Sequence, residues 1–216
     1  VVAAASGGED DAVRGTVRIV APDGFGSLFV APALARLQRE HPGIVVELVT
    51  STRPLSLRGS GYDIAITIGS AASRLPSEVL APYALRMYAS PDYLAAHPPI
   101  TGLADLENHT LVFYVDALLT VHELDLAPVL NGMRVGFGST NVFAQLEATK
   151  AGAGLGLLHA FMGDREPGLV RVLPKDVDFR LQFSLAVRRE SIETEAVTIV
   201  RDAIRREVRE RSRELA

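Results

Sequence analysis

Five histidines, His41, His97, His109, His122 and His159, are scattered through the chain. None has the second histidine four residues away that a helical zinc site needs, and His122-Glu123 opens an H-E-x-x-H pattern without completing it. They read as turn and surface histidines. Cysteine is absent, which excludes disulfides, thiolate nucleophiles and cysteine metal ligands. A serine nucleophile wants a G-x-S-x-G elbow between strand and helix, and neither Arg58-Gly59-Ser60-Gly61 nor Gly26-Ser27 has that spacing. Gly136-Phe137-Gly138-Ser139-Thr140-Asn141 misses the third glycine of a dinucleotide loop. Gly152-Ala153-Gly154-Leu155-Gly156 follows a helix instead of a strand and reads as a helix C-cap turning into a strand. No P-loop is present. The residues therefore predict no metal, no cofactor and no catalytic constellation.

What remains is a set of small polar residues where strands give way to helices. Asp23-Gly24-Phe25-Gly26-Ser27 opens one helix, Ser139-Thr140-Asn141 opens another, and Ser51-Thr52-Arg53 follows a strand. A helix start offers free N–H groups and partial positive charge to a polar acceptor, and open α/β sheets place ligands at the C-terminal ends of their strands. Serine and threonine also cap helices with no ligand involved, but the combination suggests binding without chemistry.

The elements that must position these residues follow from the pattern. The chain has 216 residues, 48% apolar and 22% charged, with a net charge of −4. That is a globular balance with no excess of positive charge for gripping DNA phosphates. No apolar run reaches the ~18–20 residues of a membrane helix. Val17–Val20, Ile44–Val49 and Ile64–Ile68 read as strands. Leu28–Glu40 reads as a helix with Val30, Leu34 and Leu37 on one face, and Pro32 fits only near its start or leaves a kink. Further strands are predicted at Leu85–Ala89, Leu111–Val115, Met133–Phe137, Leu155–His159, Leu169–Leu173 and Leu181–Val187. Ser90-Pro91-Asp92 caps a short helix and Ser139-Thr140-Asn141 a longer one running to about Ala151. The last 25 residues form an amphipathic helix with Val197, Val200 and Ile204 inward and a solvated end beyond Ile204 liable to fray. Strand–helix–strand order predicts a mixed α/β protein, in two lobes.

The order and spacing of several motifs resemble the effector-binding domain of LysR-type transcriptional regulators. These are G-T-V-R-I from Gly15, the F-G-x-x-x-x-x-P-x-L helix from Phe25, His41-Pro42-Gly43, Gly61-Tyr62-Asp63-Ile64-Ala65-Ile66, Ala89-Ser90-Pro91-Asp92-Tyr93-Leu94, Asp105-Leu106-Glu107-Asn108-His109 and the Ala151-Gly152-Ala153-Gly154 turn. The resemblance covers about residues 14–200. It implies an α/β fold like that of type 2 periplasmic binding proteins, with two Rossmann-like lobes joined by two crossover strands. Residues 14–85 plus 175–216 would form lobe one and 86–174 lobe two, with 1–13 the end of a linker helix. The DNA-binding helix-turn-helix would lie outside this fragment.

Carried over by that resemblance, the cleft residues are Phe25 and Gly26, Thr52 and Arg53, Tyr114, Val115 and Asp116, and Ser139, Thr140 and Asn141. Arg53 could pair with an anionic effector through a bidentate fork, whereas Asp116 pulls toward a cationic or hydroxyl-bearing group. The chain departs from the family where His159-Ala160 stands in place of a common proline and where a frequent tryptophan is missing. The implied function is sensing a small molecule in the interlobe cleft, in a cytoplasmic homodimer or homotetramer that meets DNA only through the N-terminal domain. A free-standing solute-binding protein of a transporter is the alternative, and an enzyme the least supported reading.

Overall fold

The computed structural model describes residues 13–50, 61–69, 77–115, 124, 130 and 132–215. β1 (Gly15–Ala21) is buried at Val17, Ile19, Val20 and Ala21. β2 (Ile44–Thr50) and β3 (Ile64–Ile68) flank it in parallel, with Val17 opposite Val46 and Ile19 opposite Ile64. The β-branched run of β3 is buried at Ile64, Ala65, Ile66 and Ile68, whereas β2, at the sheet edge, buries Ile44 and leaves Val45 and Val49 exposed. A second set repeats the plan: β5 (Thr110–Phe113) lies between β6 (Arg134–Gly138) and β7 (Leu155–His159), again in parallel.

Two longer strands join the sets. β4 (Ser77–Ala89) and β9 (Asp178–Val187) run antiparallel, from Ser77 opposite Ala186 to Arg86 opposite Asp178. β9 also pairs with β3, and β4 with β7, both antiparallel. The order is β2-β1-β3-β9-β4-β7-β5-β6, with β8 (Val170–Val172) added to β4. Read from either outer edge, the strands follow one plan. This is the expected α/β architecture of two lobes and two crossover strands.

Three elements differ from their sequence expectations, each for a physical reason. β4 begins at Ser77, eight residues before Leu85. Pro82 hides that extension, because proline breaks a ladder. At residue 82, however, β4 has only β9 beside it, since β7 joins from Leu85 onward.

The first helical segment begins at Asp23, not Leu28. It comprises α1 (Asp23–Phe25), a π-helical turn over Gly26–Val30, and α2 (Ala31–Glu40), which carries Pro32 in its first turn. Pro32 has no N–H for the Leu28 carbonyl four residues back. The Arg211 guanidinium donates to that oxygen at 2.7 Å.

The C-terminal helix does not dissolve into solvent after Ile204. α6 (Glu195–Glu210) buries Glu207 and Val208, and α7 (Ser212–Leu215) ends on a buried Leu215. Glu207 accepts from Arg211 at 2.8 Å and pairs with Arg36, so the charged run is a docking surface. α3 (Pro91–Ala96) is capped by Ser90, whose side chain accepts the Tyr93 N–H, as its sequence predicts.

Candidate functional site

The C-terminal ends of β1 and β6 each lead into a helix start, and the two starts meet. β1 ends at Ala21 and passes through Pro22 into α1, while β6 ends at Gly138 and leads to α4 (Val142–Lys150). The buried Asp23 carboxylate lies between them. Its Oδ1 accepts the Gly24 N–H at 3.1 Å, and its Oδ2 accepts the Val142 N–H at 3.0 Å. These residues come from the two opposite strand sets. A Cβ on Gly24 would stand 3.0 Å from Val142 Cγ2 and 3.2 Å from Met162 Sδ, so only a bare backbone allows this approach. Met162 lies on α5 (Ala160–Gly163), the short helix after β7.

The start of α4 is closed from within. Asn141 Oδ1 accepts the N–H groups of Phe143 at 2.9 Å and Ala144 at 3.0 Å, as an N-cap should. Ser139 Oγ accepts the Asn141 N–H at 3.1 Å, and Gln145 Nε2 donates to the Ser139 carbonyl at 2.7 Å. With Val142 donating to Asp23, the first donors of this helix are all engaged. Thr140 is exposed and makes no part of this cap.

The other candidates fall around this junction. Tyr114 is buried directly after β5, its hydroxyl 3.5 Å from His159 Nε2. Val115 is half-buried beside Gly138. Phe25 is a core residue, its ring 4.3 Å from Phe183 and stacked at 5.3 Å on Phe29. Gly26 packs on the end of β2, where a Cβ would lie 3.1 Å from Thr50 Cγ2. Thr52, Arg53 and Asp116 lie outside the described residues.

Two residues that the sequence did not single out for the site dominate its electrostatics. Burial pushes the Asp23 carboxyl above the usual carboxylate range, against its backbone hydrogen bonds, which pull it down. The same burial, with the Asp23 charge adding, raises the Tyr114 phenol. His159 is fully enclosed: burial holds its pKa down to about 4. Its ring stacks at 5.0 Å on Phe161 and lies 5.2 Å from Tyr83, and its Nδ1 has no hydrogen-bond partner among the described residues. An acid in the first turn of a helix was a usable signal for Asp23.

A family model described as the LysR substrate binding domain matches residues 10–209. The chain belongs to that family. An HTH-type transcriptional regulator of Haemophilus influenzae is 31% identical over 179 residues, spanning 79% of this chain and 62% of that protein. The LysR-family chain thus covers less than two thirds of that relative's length. The regulatory domain of CrgA, a LysR-type transcriptional regulator from Neisseria meningitidis, superposes with a TM-score of 0.77 at 21% identity, covering 94% of this chain and all of that one. The effector domain of AmpR of Pseudomonas aeruginosa superposes at 0.72 with 24% identity, covering 93% and 98%. At these identities the two structures establish the fold. The relative is a transcriptional regulator, which favours the regulatory reading of this LysR-family domain over a transporter's solute-binding protein.

Proposed function

We propose that this chain is the ligand-sensing part of a LysR-type transcriptional regulator, binding a small molecule between its two lobes and passing the event to a DNA-binding domain elsewhere in the full protein. The observation that carries this reading is the Asp23–Val142 contact, which ties the helix starts of opposite strand sets together at the strand C-termini, where open α/β sheets take ligands. A ligand entering there acts on the contact between lobes, and it shifts their arrangement by its differential affinity for the two poses. The lobes are proposed to divide at the crossover strands, 14–85 plus 175–216 against 86–174, with 1–13 as the end of a linker helix.

The lining is proposed to draw on Phe25, Gly26, Tyr114, Val115, Ser139, Thr140 and Asn141, with Thr52, Arg53 and Asp116 completing it. Phe25 and the cap residues Ser139 and Asn141 shape the wall, since their side chains are already committed to core and cap. The regulator works as a cytoplasmic homodimer or homotetramer without catalysis of its own. Among the described residues no helix is long and apolar enough to cross a membrane.

The test pairs ligand binding with DNA occupancy in the full-length regulator. A small molecule that raises the melting temperature of this chain should change the footprint on the operator at the same concentration. A molecule that binds the chain tightly yet leaves the footprint unchanged at saturation overturns the reading.

A further inference from the structure

The negative charge at the junction of the lobes belongs to the protein. Asp23 is 8% exposed, and each carboxylate oxygen receives one backbone N–H, from Gly24 and from Val142. A carboxylate has about four acceptor positions, and with the Asp23 N–H also directed at it about one remains. Among the described residues neither lysine, arginine nor histidine forms an ion pair with it, and the nearby groups are neutral: the Tyr114 phenol, the enclosed His159 imidazole and backbone amides. Burial without a counter-ion raises this carboxyl and disfavours its ionised form, and a cation brought between the lobes would favour the ionised form again.

Among the described residues, the opposite class of ligand finds no free backbone donor at the α4 start. The place an anion would take is the start of α4, but the Val142 N–H is bound to Asp23 and the Phe143 and Ala144 N–H groups to Asn141 Oδ1. An entering carboxylate meets occupied donors and a like charge.

We propose that Asp23 is the specificity-determining residue of the cleft, and that the ligand presents a cationic group, an ammonium or a guanidinium, to it at the α1–α4 junction. This rests on the effector-binding reading above and names its ligand class. The same carboxylate holds α1 to α4, so a cation that draws on its charge acts directly on the contact between lobes. Recognition and transmission share one side chain.

The experiment follows thermal unfolding and calorimetric binding of the chain with agmatine and putrescine against succinate and glutarate at matched ionic strength. At least one of the two cations should give a saturable rise in melting temperature, and neither dicarboxylate should. Asp23→Asn, which keeps the shape and an acceptor for Val142, should weaken the cation by about tenfold or more, the scale of a hydrogen bond to a charged group. Asp23→Ser, checked for folding by circular dichroism, should do the same if the asparagine variant folds poorly. Cation affinity unchanged in a folded Asp23 variant overturns the proposal. Saturable stabilisation by succinate or glutarate overturns the charge assignment while leaving the effector-binding reading in place. No response to either class overturns the assignment and counts against that reading too.

Discussion

The rings of Tyr83 and Phe183 stack 4.1 Å apart at an interplanar angle of 14°, on β4 and β9, the two strands that join the lobes. Phe25 leans on Phe183 from the first helix start and His159 faces Tyr83 from β7, so both sides of the cleft rest on one aromatic stack. A rotation between lobes has to be absorbed along these strands. A packed stack offers discrete arrangements, as close-packed interiors generally do.

Phe183 is fully buried, and Phe183→Ala should cost about 3–5 kcal/mol, the usual range for removing a core aromatic. Urea denaturation reads it as a lowered midpoint with unchanged slope. Phe183→Leu should recover a large share of the loss. A cost below about 1 kcal/mol would mean that the stack contributes little to the join.

His159 gives the domain an acid-sensitive stability. Unfolded, the imidazole binds a proton as the pH falls through its usual 6.5; folded, it resists until about 4. Between those values the unfolded chain binds more protons, so stability falls with falling pH. At 1.36 kcal/mol per unit the loss approaches about 3 kcal/mol at the acid end of that window. The raised Asp23 carboxyl acts in the opposite sense, because it protonates more readily when folded. The comparison is therefore wild type against His159→Phe, which keeps an aromatic ring among Tyr83 and Phe161. The difference in unfolding free energy should be independent of pH above pH 7 and should shift in favour of the variant from pH 6.5 downward. A parallel pair of pH profiles would show that the histidine does not sense acid.

Much of this architecture was legible before any coordinates. β-branched runs marked β1, β2 and β3, the period of two in Leu181–Val187 marked β9, and the apolar spacing of Val197, Val200 and Ile204 marked the buried face of α6. What escaped depended on partners distant in sequence. Pro82 sits in a long strand because one side of β4 is open there. Glu207 reads as solvated until Arg36 is brought to it. The candidate site was legible as a region, since strand C-termini and helix starts locate a cleft. Its chemistry was not, because an aspartate in a turn gives no sign that it will meet an N–H 119 residues away. Ser139-Thr140-Asn141 reads both as a helix cap and as a cleft contact, and only the geometry shows that the Asn141 side chain makes the cap.

Glu207 and Arg211 fix the C-terminal helix to the first helical segment. Glu207 is 3% exposed and accepts from Arg211 at 2.8 Å, while the Arg211 guanidinium lies 4.1 Å over the Phe29 ring and serves the Leu28 carbonyl. Arg211→Ala leaves a buried carboxylate short of a partner and the Leu28 oxygen without its donor. Glu207 keeps Arg36, so the expected cost is about 1–3 kcal/mol, the scale of lost hydrogen bonds to charged and buried groups. The double variant Glu207→Met with Arg211→Leu should recover part of it, since apolar replacement of both partners is often tolerated. Both are read from chemical denaturation midpoints. Equal loss in the single and double variants would place the cost in the Phe29 and Leu28 contacts instead of the ion pair.

Asn141 separates capping from ligand contact in one series. Its Oδ1 accepts two N–H groups at the start of α4, and removing an N-cap costs typically about 1 kcal/mol. Asn141→Ala should lower the unfolding free energy by that amount, whereas Asn141→Asp and Asn141→Ser, both strong N-cap residues, should stay close to wild type. If the side chain only caps, ligand affinity should follow the same order, with Asp and Ser near wild type and Ala weakened through a frayed helix start. If it also touches the ligand, the Asp variant separates from the Ser variant, because it adds a second negative charge beside Asp23 while preserving the cap. For a cationic ligand that added charge should tighten binding, and for an anionic one weaken it, with stability unchanged in both cases. Calorimetry on the folded Asp and Ser variants therefore reads the sign of the ligand charge independently of any change at Asp23.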